Sequence, residues 1–534
     1  MAKSYAQLPQ QDPSDLLPDP PDPSTMVASR GVFRIYWLAA VLCCGGALFG
    51  YDSGVIGGVL TFESFQHDFR YDAAQQTRVS SIAVGIQQAG ALVGCFAVWP
   101  VTNHYGRRFA MMACSLVFCV GVIFEVINAH SLPLFYFGRV ICGLGIGGSA
   151  TVIPIYMSEM SPKEIRARLG SCYQFTYTIG ILISYWIDYG VKYMIPSASQ
   201  WQIPIALQLI PGALMGLGMF TLEESVRWQL FKGDTHRAWT SLVWVRGSDS
   251  ATVEAEFAEM KHGVEEQKHA TAGFSPRELL ERPNAHRLLL GAGLFLAQQS
   301  TGATALAYFG PQFFALLVGP GDKNLLLTGV FGGIKVAACF LFIVCIAERF
   351  GRRPLLIAGA VAQSACMLAV AGVLKSYPPP GDGTVTAAGI GMVVLIYLDI
   401  VAYNFSWGPL PWPCTAEIFP TRIREPGVAF GVGSQWLFNF VWSFSTPYIM
   451  AGIGWATFLL FGVLDMLIAC FVFCCLKETA GKTLEEITAM FEPVSSDVEG
   501  DGWKLSREES RESQAGESPR PKSPVAGYVE ASRS

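Results

Sequence analysis

Twelve stretches of this chain are apolar for long enough to cross a lipid bilayer, and no other property limits the fold so narrowly. They fall at 34–58, 79–101, 108–129, 132–157, 170–191, 202–222, 287–311, 325–347, 354–375, 386–413, 424–450 and 453–475. A spanning α-helix needs about 20 mostly apolar residues, because each backbone polar group in hydrocarbon must be satisfied within its own segment. The expectation is an all-α integral membrane protein of twelve transmembrane helices. A composition of 51% hydrophobic and 15% charged residues over 534 positions agrees. The net charge of −5 offers no surface for nucleic acid. Most of the fourteen cysteines, Cys43, Cys44, Cys339, Cys474 and Cys475 among them, lie in apolar stretches as small hydrophobes. Their spacing fits no metal site or disulfide framework, so no metal or cofactor is expected.

Basic residues mark every second loop: Arg107 and Arg108; Lys163, Arg166 and Arg168; the long central loop; Arg349, Arg352 and Arg353; Arg422 and Arg424; Lys477 and Lys482. The alternate loops hold little beyond Arg70, Arg78, Lys192 and Lys323. The positive-inside rule then places both termini and the central loop in the cytoplasm, with the plasma membrane the expected location. The expected organisation is a disordered tail over 1–32, a six-helix bundle over 33–222, linker helices over 223–286, a second bundle over 287–476, and a mostly disordered tail over 477–534. Within the linker, Val253, Phe257 and Met260 share one helical face, and Ser275-Pro276-Arg277-Glu278 reads as a capping box.

The two bundles repeat one another. Asn103-His104-Tyr105-Gly106-Arg107-Arg108 is echoed by Glu348-Arg349-Phe350-Gly351-Arg352-Arg353. Glu159-Met160-Ser161-Pro162 is echoed by Glu417-Ile418-Phe419-Pro420, and Glu224-Ser225 by Glu478-Thr479. Three echoes in the same order imply a duplicated six-helix unit, hence two pseudo-symmetric bundles enclosing a site near the midplane.

The seventh stretch is too polar to face lipid. Gln298, Gln299, Thr301, Thr304 and Tyr308 fall at helical spacings along one broad side. Such residues act either as glue between helices or as the lining of a polar solute's path. As a set they favour the lining.

Together these motifs resemble the sugar porter family of the major facilitator superfamily. The resemblance runs from about Phe33 to Ile487. It includes Phe49-Gly50-Tyr51-Asp52, both Gly-Arg-Arg loops, Gly138-Arg139 and Pro154-Ile155-Tyr156-Met157-Ser158-Glu159. It continues through Gln298-Gln299, Gly408-Pro409-Leu410-Pro411-Trp412 and Lys477-Glu478-Thr479-Ala480-Gly481-Lys482-Thr483. It implies that Gln174, Gln298, Gln299, Trp412 and Asn439 meet sugar hydroxyls, for which amides offer both donors and an acceptor. The chain departs from the pattern at Thr304, which replaces an asparagine, at Tyr308-Phe309, which replaces a tyrosine pair, and at Lys335-Val336, where another asparagine is expected. With the Ser184-to-Gly190 run, these departures make the chain most similar to the fungal quinate permease branch. Lys335 then reads as a counter-charge for a substrate carboxylate, or else as a lysine that snorkels to an interface.

Asp52 and Arg139 lie inside apolar stretches, where pairing is the economical arrangement. The resemblance makes Asp52 the protonation site and Arg139 its modulator, against the alternative of a structural lock. Arg107, Arg108, Glu159, Arg166, Arg352, Arg353, Glu417 and Arg424 lie at the basic-loop ends and are expected to gate that side through salt bridges between the two bundles. The expected protein is a monomeric secondary transporter, not an enzyme, moving a polyhydroxylated small molecule with a proton. A quinate-like acid is favoured over a neutral sugar. A non-transporting nutrient sensor is the alternative from another class.

Overall fold

The computed structural model describes residues 23–127, 130–163, 165–195, 197–346, 349–380, 384–420, 422–479, 486–487 and 490–491, except the side chains of 23–29 and Ala167. The expected disorder of residues 1–22 and of the stretch after 491 lies outside the described residues, as do Glu348 and Gly481-Lys482-Thr483.

Among the described residues, all regular structure is helical. The membrane helices are α1 (Pro23–Val59), α2 (Gln76–Tyr105), α3 (Arg107–Val126), α4 (Leu132–Met160), α5 (Arg166–Met194) and α6 (Gln202–Met219). The second set is α7 (Arg282–Val318), α8 (Lys323–Leu341), α9 (Arg352–Ser376), α10 (Ala387–Asn404), α11 (Arg424–Ile453) and α12 (Ala456–Cys475). Residues 23–32, expected in the disordered tail, are already helical.

Ten of the twelve are long and apolar enough to span a membrane; α5 and α11 fall short. Their polarity has a physical reason. Both carry amides, Gln174 on one and Gln435 and Asn439 on the other, that turn toward the interior rather than toward lipid.

The sequence echoes are the two ends of one contact. In the first bundle the Glu224 carboxylate accepts from the backbone N–H groups of Arg107 (2.9 Å) and Arg108 (3.0 Å), capping α3. In the second, Glu478 accepts from Arg352 N–H (3.1 Å) and Arg353 N–H (3.0 Å), capping α9. A carboxylate at a helix N-terminus is favoured by the free N–H groups and the helix dipole. Burial pushes the Glu224 carboxyl above the usual carboxylate range, against these N–H groups, which favour its ionised form. A further matched pair had no legible motif: Ser115 donates to Gly212 O and Ser364 to Gly462 O, both at 2.7 Å.

In the first bundle α2 and α4 pack backbone to backbone. A methyl group on Gly143 would sit 2.1 Å from the Gln87 carbonyl oxygen, and one on Gly147 2.0 Å from that of Ala91. Glycine lets two backbones touch where any side chain would hold them apart. Between the bundles, α1 packs on α7, α2 on α11 and α5 on α8.

The linker comprises helices Val226–Lys232, Thr235–Arg246 and Ala251–Thr271 and the 3-10 turn Pro276–Leu280. Val253 is buried, and Phe257 and Met260 pack partly buried against the same cluster. Ser275 and Glu278 form the expected capping box, on a 3-10 rather than an α turn.

Candidate substrate cavity and buried charges

Gly302 shapes the site. Its φ of +83° lies in the left-handed region, which glycine adopts without penalty, and it splits α7 into Arg282–Ser300 and Ala303–Val318. The even helical face expected across Gln298 to Tyr308 is therefore broken. Gln298 and Gln299 end one half-helix, Thr304 opens the next, and Thr301 turns back to donate to Gln298 O at 3.0 Å. Residues 405–410 likewise interrupt the chain between α10 and the helix Pro411–Ile418. Non-helical backbone at membrane depth is tolerated where it lines a cavity.

A cavity of about 460 Å³ lies against these two breaks. Gln174, Gln298, Gln299, Thr304, Trp412 and Asn439, all expected to meet substrate, line it. Sequence reasoning missed Phe49, Tyr177, Tyr403, Gln435 and Trp436 in the same wall. Phe49 stacks between Tyr177 and Trp436, with ring centroids 4.9 and 5.4 Å away. Aromatics in apolar stretches read as ordinary core, so nothing but the repeat's symmetry could have singled them out.

The amides differ in what they leave free. Gln298 Nε2 donates to the carbonyls of Trp407 (2.9 Å) and Gly408 (3.2 Å), clamping the α10 break. By contrast, Gln299 Oε1, Gln435 Oε1, Asn439 Oδ1 and Trp436 Nε1 are buried without a partner among the described residues. Three acceptors and one donor without partners suit a ligand that brings hydroxyl groups, since an unmade buried hydrogen bond is costly.

Two predicted lining residues stand back. Tyr308 is buried with its hydroxyl accepting from Asn439 Nδ2 at 3.4 Å. Lys335 lies behind the wall, its Nζ 5.4 Å from the centroid of the Tyr177 ring. Among the described residues no carboxylate pairs with Lys335. The charged side chains that line the cavity itself are Arg166 and Arg352, both cationic.

Arg166, Arg352 and Ser158 mark the cavity's end at the basic-loop face. At the opposite face the bundles meet. Lys192 pairs with Asp322 at 3.0 Å, Gln312 Nε2 donates to Gly57 O at 3.3 Å, and Tyr185 Oη donates to Ala307 O at 2.6 Å. Two ion pairs among the expected gating charges lie within single bundles. Arg107 pairs with Glu159 at 3.1 Å and Arg352 with Glu417. Arg108 donates to Met219 O and Phe220 O, Arg353 to Phe473 O, Arg166 to Ser161 O and Arg424 to Phe419 O.

Asp52 and Arg139 meet as expected, fully buried, at 2.9 Å. Gln87 Nε2 also donates to Asp52, and Arg139 Nε donates to Ala83 O at 3.0 Å. A third charge was missed. Glu125 of α3, 1% exposed, lies 3.8 Å from the same Arg139 nitrogen. Asp188, Asp399 and Asp465 are also buried, and their carboxylates have no partner among the described residues. Each of these acids stands inside an apolar stretch, and that was the signal available.

The family described as "Sugar (and other) transporter" matches residues 38–491. The chain belongs to the sugar transporter family. Its similarity to a quinate permease of Emericella nidulans is 34% identity over 478 residues, covering 86% of this chain and 89% of that one. A probable quinate permease of Aspergillus flavus is 35% identical over 476 residues, covering 86% and 88%. These relatives place the chain in the quinate permease branch of the sugar porters, and none of them is an enzyme. Among solved structures, the proton:xylose symporter XylE bound to 6-bromo-6-deoxy-D-glucose superposes with a TM-score of 0.71. It is 25% identical, covering 86% of this chain and all of that one. The inward open form of XylE from E. coli superposes equally well at 24% identity. The fold is therefore that of a twelve-helix major facilitator, and the protein is a multi-pass membrane transporter.

Proposed function

We propose that this transporter moves a polyhydroxylated acid of the quinate type together with a proton, by alternating access. The carrying observation is the charge around the cavity. Arg166 and Arg352 line it, Lys335 is buried one ring behind it with no carboxylate paired to it, and no acidic side chain lines it among the described residues. An uncompensated buried cation is costly, and a substrate carboxylate would relieve that cost. The hydroxyls would meet Gln174, Gln299, Gln435 and Asn439, with Trp412 and Tyr403 against the ring. The quinate permeases it is similar to support the same reading.

On this reading the basic-loop face is cytoplasmic, the membrane is the plasma membrane, the working unit is a monomer, and the cavity opens inward. The Arg107–Glu159 and Arg352–Glu417 pairs would trade partners across the bundles when the inner side closes. Asp52 takes the coupling proton and Arg139 sets the ease with which it does so.

A second reading, a neutral-sugar porter, draws on the position of Tyr177, which lies between Lys335 and the cavity. Competition against labelled uptake separates them: quinate, shikimate and sugar acids against glucose, xylose and inositol, in wild type and Lys335→Met. The acid reading requires acids to compete best and Lys335→Met to weaken them selectively. If neutral sugars compete best and the substitution changes nothing, the neutral reading stands.

A further inference from the structure

The proton-coupling site contains two acids and one base. Arg139 Nη1 touches Asp52 Oδ1 at 2.9 Å and Glu125 Oε2 at 3.8 Å, and all three side chains are buried. With every group ionised the trio would carry a net negative charge in a region of low dielectric, where an unbalanced charge is expensive. One proton makes it neutral. The geometry says where that proton rests. Asp52 accepts from both Arg139 and Gln87, bonds that favour its ionised form. Glu125 accepts no N–H or O–H donor at either oxygen and faces only the weak S–H donor of Cys142, and Arg139 Nη2 has no partner.

We propose that Glu125 is a second proton-carrying group of the coupling site, and that Arg139 alternates between the two carboxylates. When Arg139 holds Asp52, the proton is on Glu125. When Arg139 turns to Glu125, the Glu125 O–H bond breaks, an Asp52 O–H bond forms, and the guanidinium changes partner, with protons and charge conserved. Asp52 then exchanges its proton with water. Few other groups face the trio. Cys142, one turn along α4, lies beside Glu125, and its thiol donates to Phe118 O at 3.6 Å. Tyr308 approaches from α7, within electrostatic reach of Asp52 and Arg139, and Gln87 approaches from α2. Among the described residues no lysine or histidine pairs with any member. The inference rests on the proton-coupled reading for its role in transport, although the resident proton can be observed without it.

The test uses the full-length protein, purified and reconstituted. Infrared spectra of wild type and Glu125→Gln compare the protonated-carboxyl band, and uptake driven by a pH gradient is measured across external pH. Glu125→Gln should lose one carboxyl's worth of that band. Its driven uptake should shift toward acid by about one pH unit, roughly a tenfold loss at fixed pH, because Arg139 can no longer leave Asp52. Substrate counterflow should fall less. Glu125→Asp, which keeps the acid but widens its gap to Arg139, should restore the band and part of the profile, and it serves if Glu125→Gln folds poorly. An undiminished band in Glu125→Gln, or a pH profile identical to wild type, overturns the proposal. Absence of pH drive in the wild type sinks the proton-coupled reading instead; band loss then still supports the resident proton, and its retention overturns it.

Discussion

The two bundles share a scaffold and differ in their buried charges. Both cap the helix after Gly-Arg-Arg with a distant glutamate, both tie a serine to a glycine carbonyl at the same place, and both pair an arginine of that loop with a glutamate at a helix end. The capping glutamates and the serine ties, kept in both copies, serve the frame. In the first bundle a guanidinium stands between two of the buried acids, Asp52 and Glu125, while a third, Asp188, has no partner among the described residues. The second buries Asp399 and Asp465 within electrostatic reach of one another and with no basic partner among the described residues. The division extends to the cavity. Most of its amides, Gln298, Gln299, Gln435 and Asn439, come from the second bundle, and only Gln174 from the first. On the proposed function, proton chemistry would draw on the first copy of the repeat and solute recognition chiefly on the second.

The sharpest way to break this comparison is Asp52→Asn. It should abolish accumulation against a gradient while leaving exchange partly intact, as uptake and counterflow in proteoliposomes would register. Concentrative uptake by the variant would remove Asp52 from coupling. Next in size, Lys335→Met should weaken an acidic substrate about ten- to a hundredfold, since a charge-assisted bond contributes about 1.5–3 kcal/mol. A neutral polyol should be hardly affected, and half-saturation concentrations measure both.

Gln174→Ala and Gln298→Ala should each raise the half-saturation concentration about two- to tenfold, through loss of one neutral hydrogen bond. Thermal unfolding should separate them. Gln298→Ala also frees the Trp407 and Gly408 carbonyls and should melt earlier, whereas Gln174 makes no hydrogen bond among the described residues. In the second bundle, Asp399→Asn and Asp465→Asn should leave driven uptake intact and change stability by only about 1 kcal/mol, because no ion pair is broken. If either stops proton-driven uptake, the division between the bundles fails.

The smallest effect lies outside the membrane. Hydrogen bonds from Arg422, at 2.7 and 3.0 Å, hold the Glu278 carboxyl below its ordinary range. An acid so depressed stabilises the fold above its unfolded pKa and loses that contribution as pH falls through the folded one. Glu278→Gln should therefore lower the melting temperature slightly near neutrality and flatten its fall in the acid range, the two proteins converging below the folded pKa.

Helix number, the duplication and the Asp52–Arg139 pair were legible because each rests on a rule about hydrocarbon: length, repetition, and the cost of an unpaired charge. Gln298 shows where legibility ends. Its place at the cavity follows from its sequence neighbours, but its amide is committed to a chain break 109 residues away. Lys335 stands one ring further out than its depth in α8 suggested, since a pattern along one helix says nothing of the aromatic that a neighbouring helix inserts. Glu125 escaped because a single acid leaves a long apolar stretch apolar on average.

The contact of α2 with α4 has a mechanical consequence. Where backbones touch through Gly143 and Gly147, there is no side-chain layer to deform, and strain at one point passes undiminished to the next. Arg139 lies one turn from Gly143 on this stiff rod, and Ala83, which accepts its Nε–H, lies one turn from Gln87 on the rod's partner. A change of partner at Arg139 has little local give to absorb it. On the proposed coupling, it would be expressed as rotation of the first bundle as a single body, the stiffness of that seam carrying the movement of one proton to a distance.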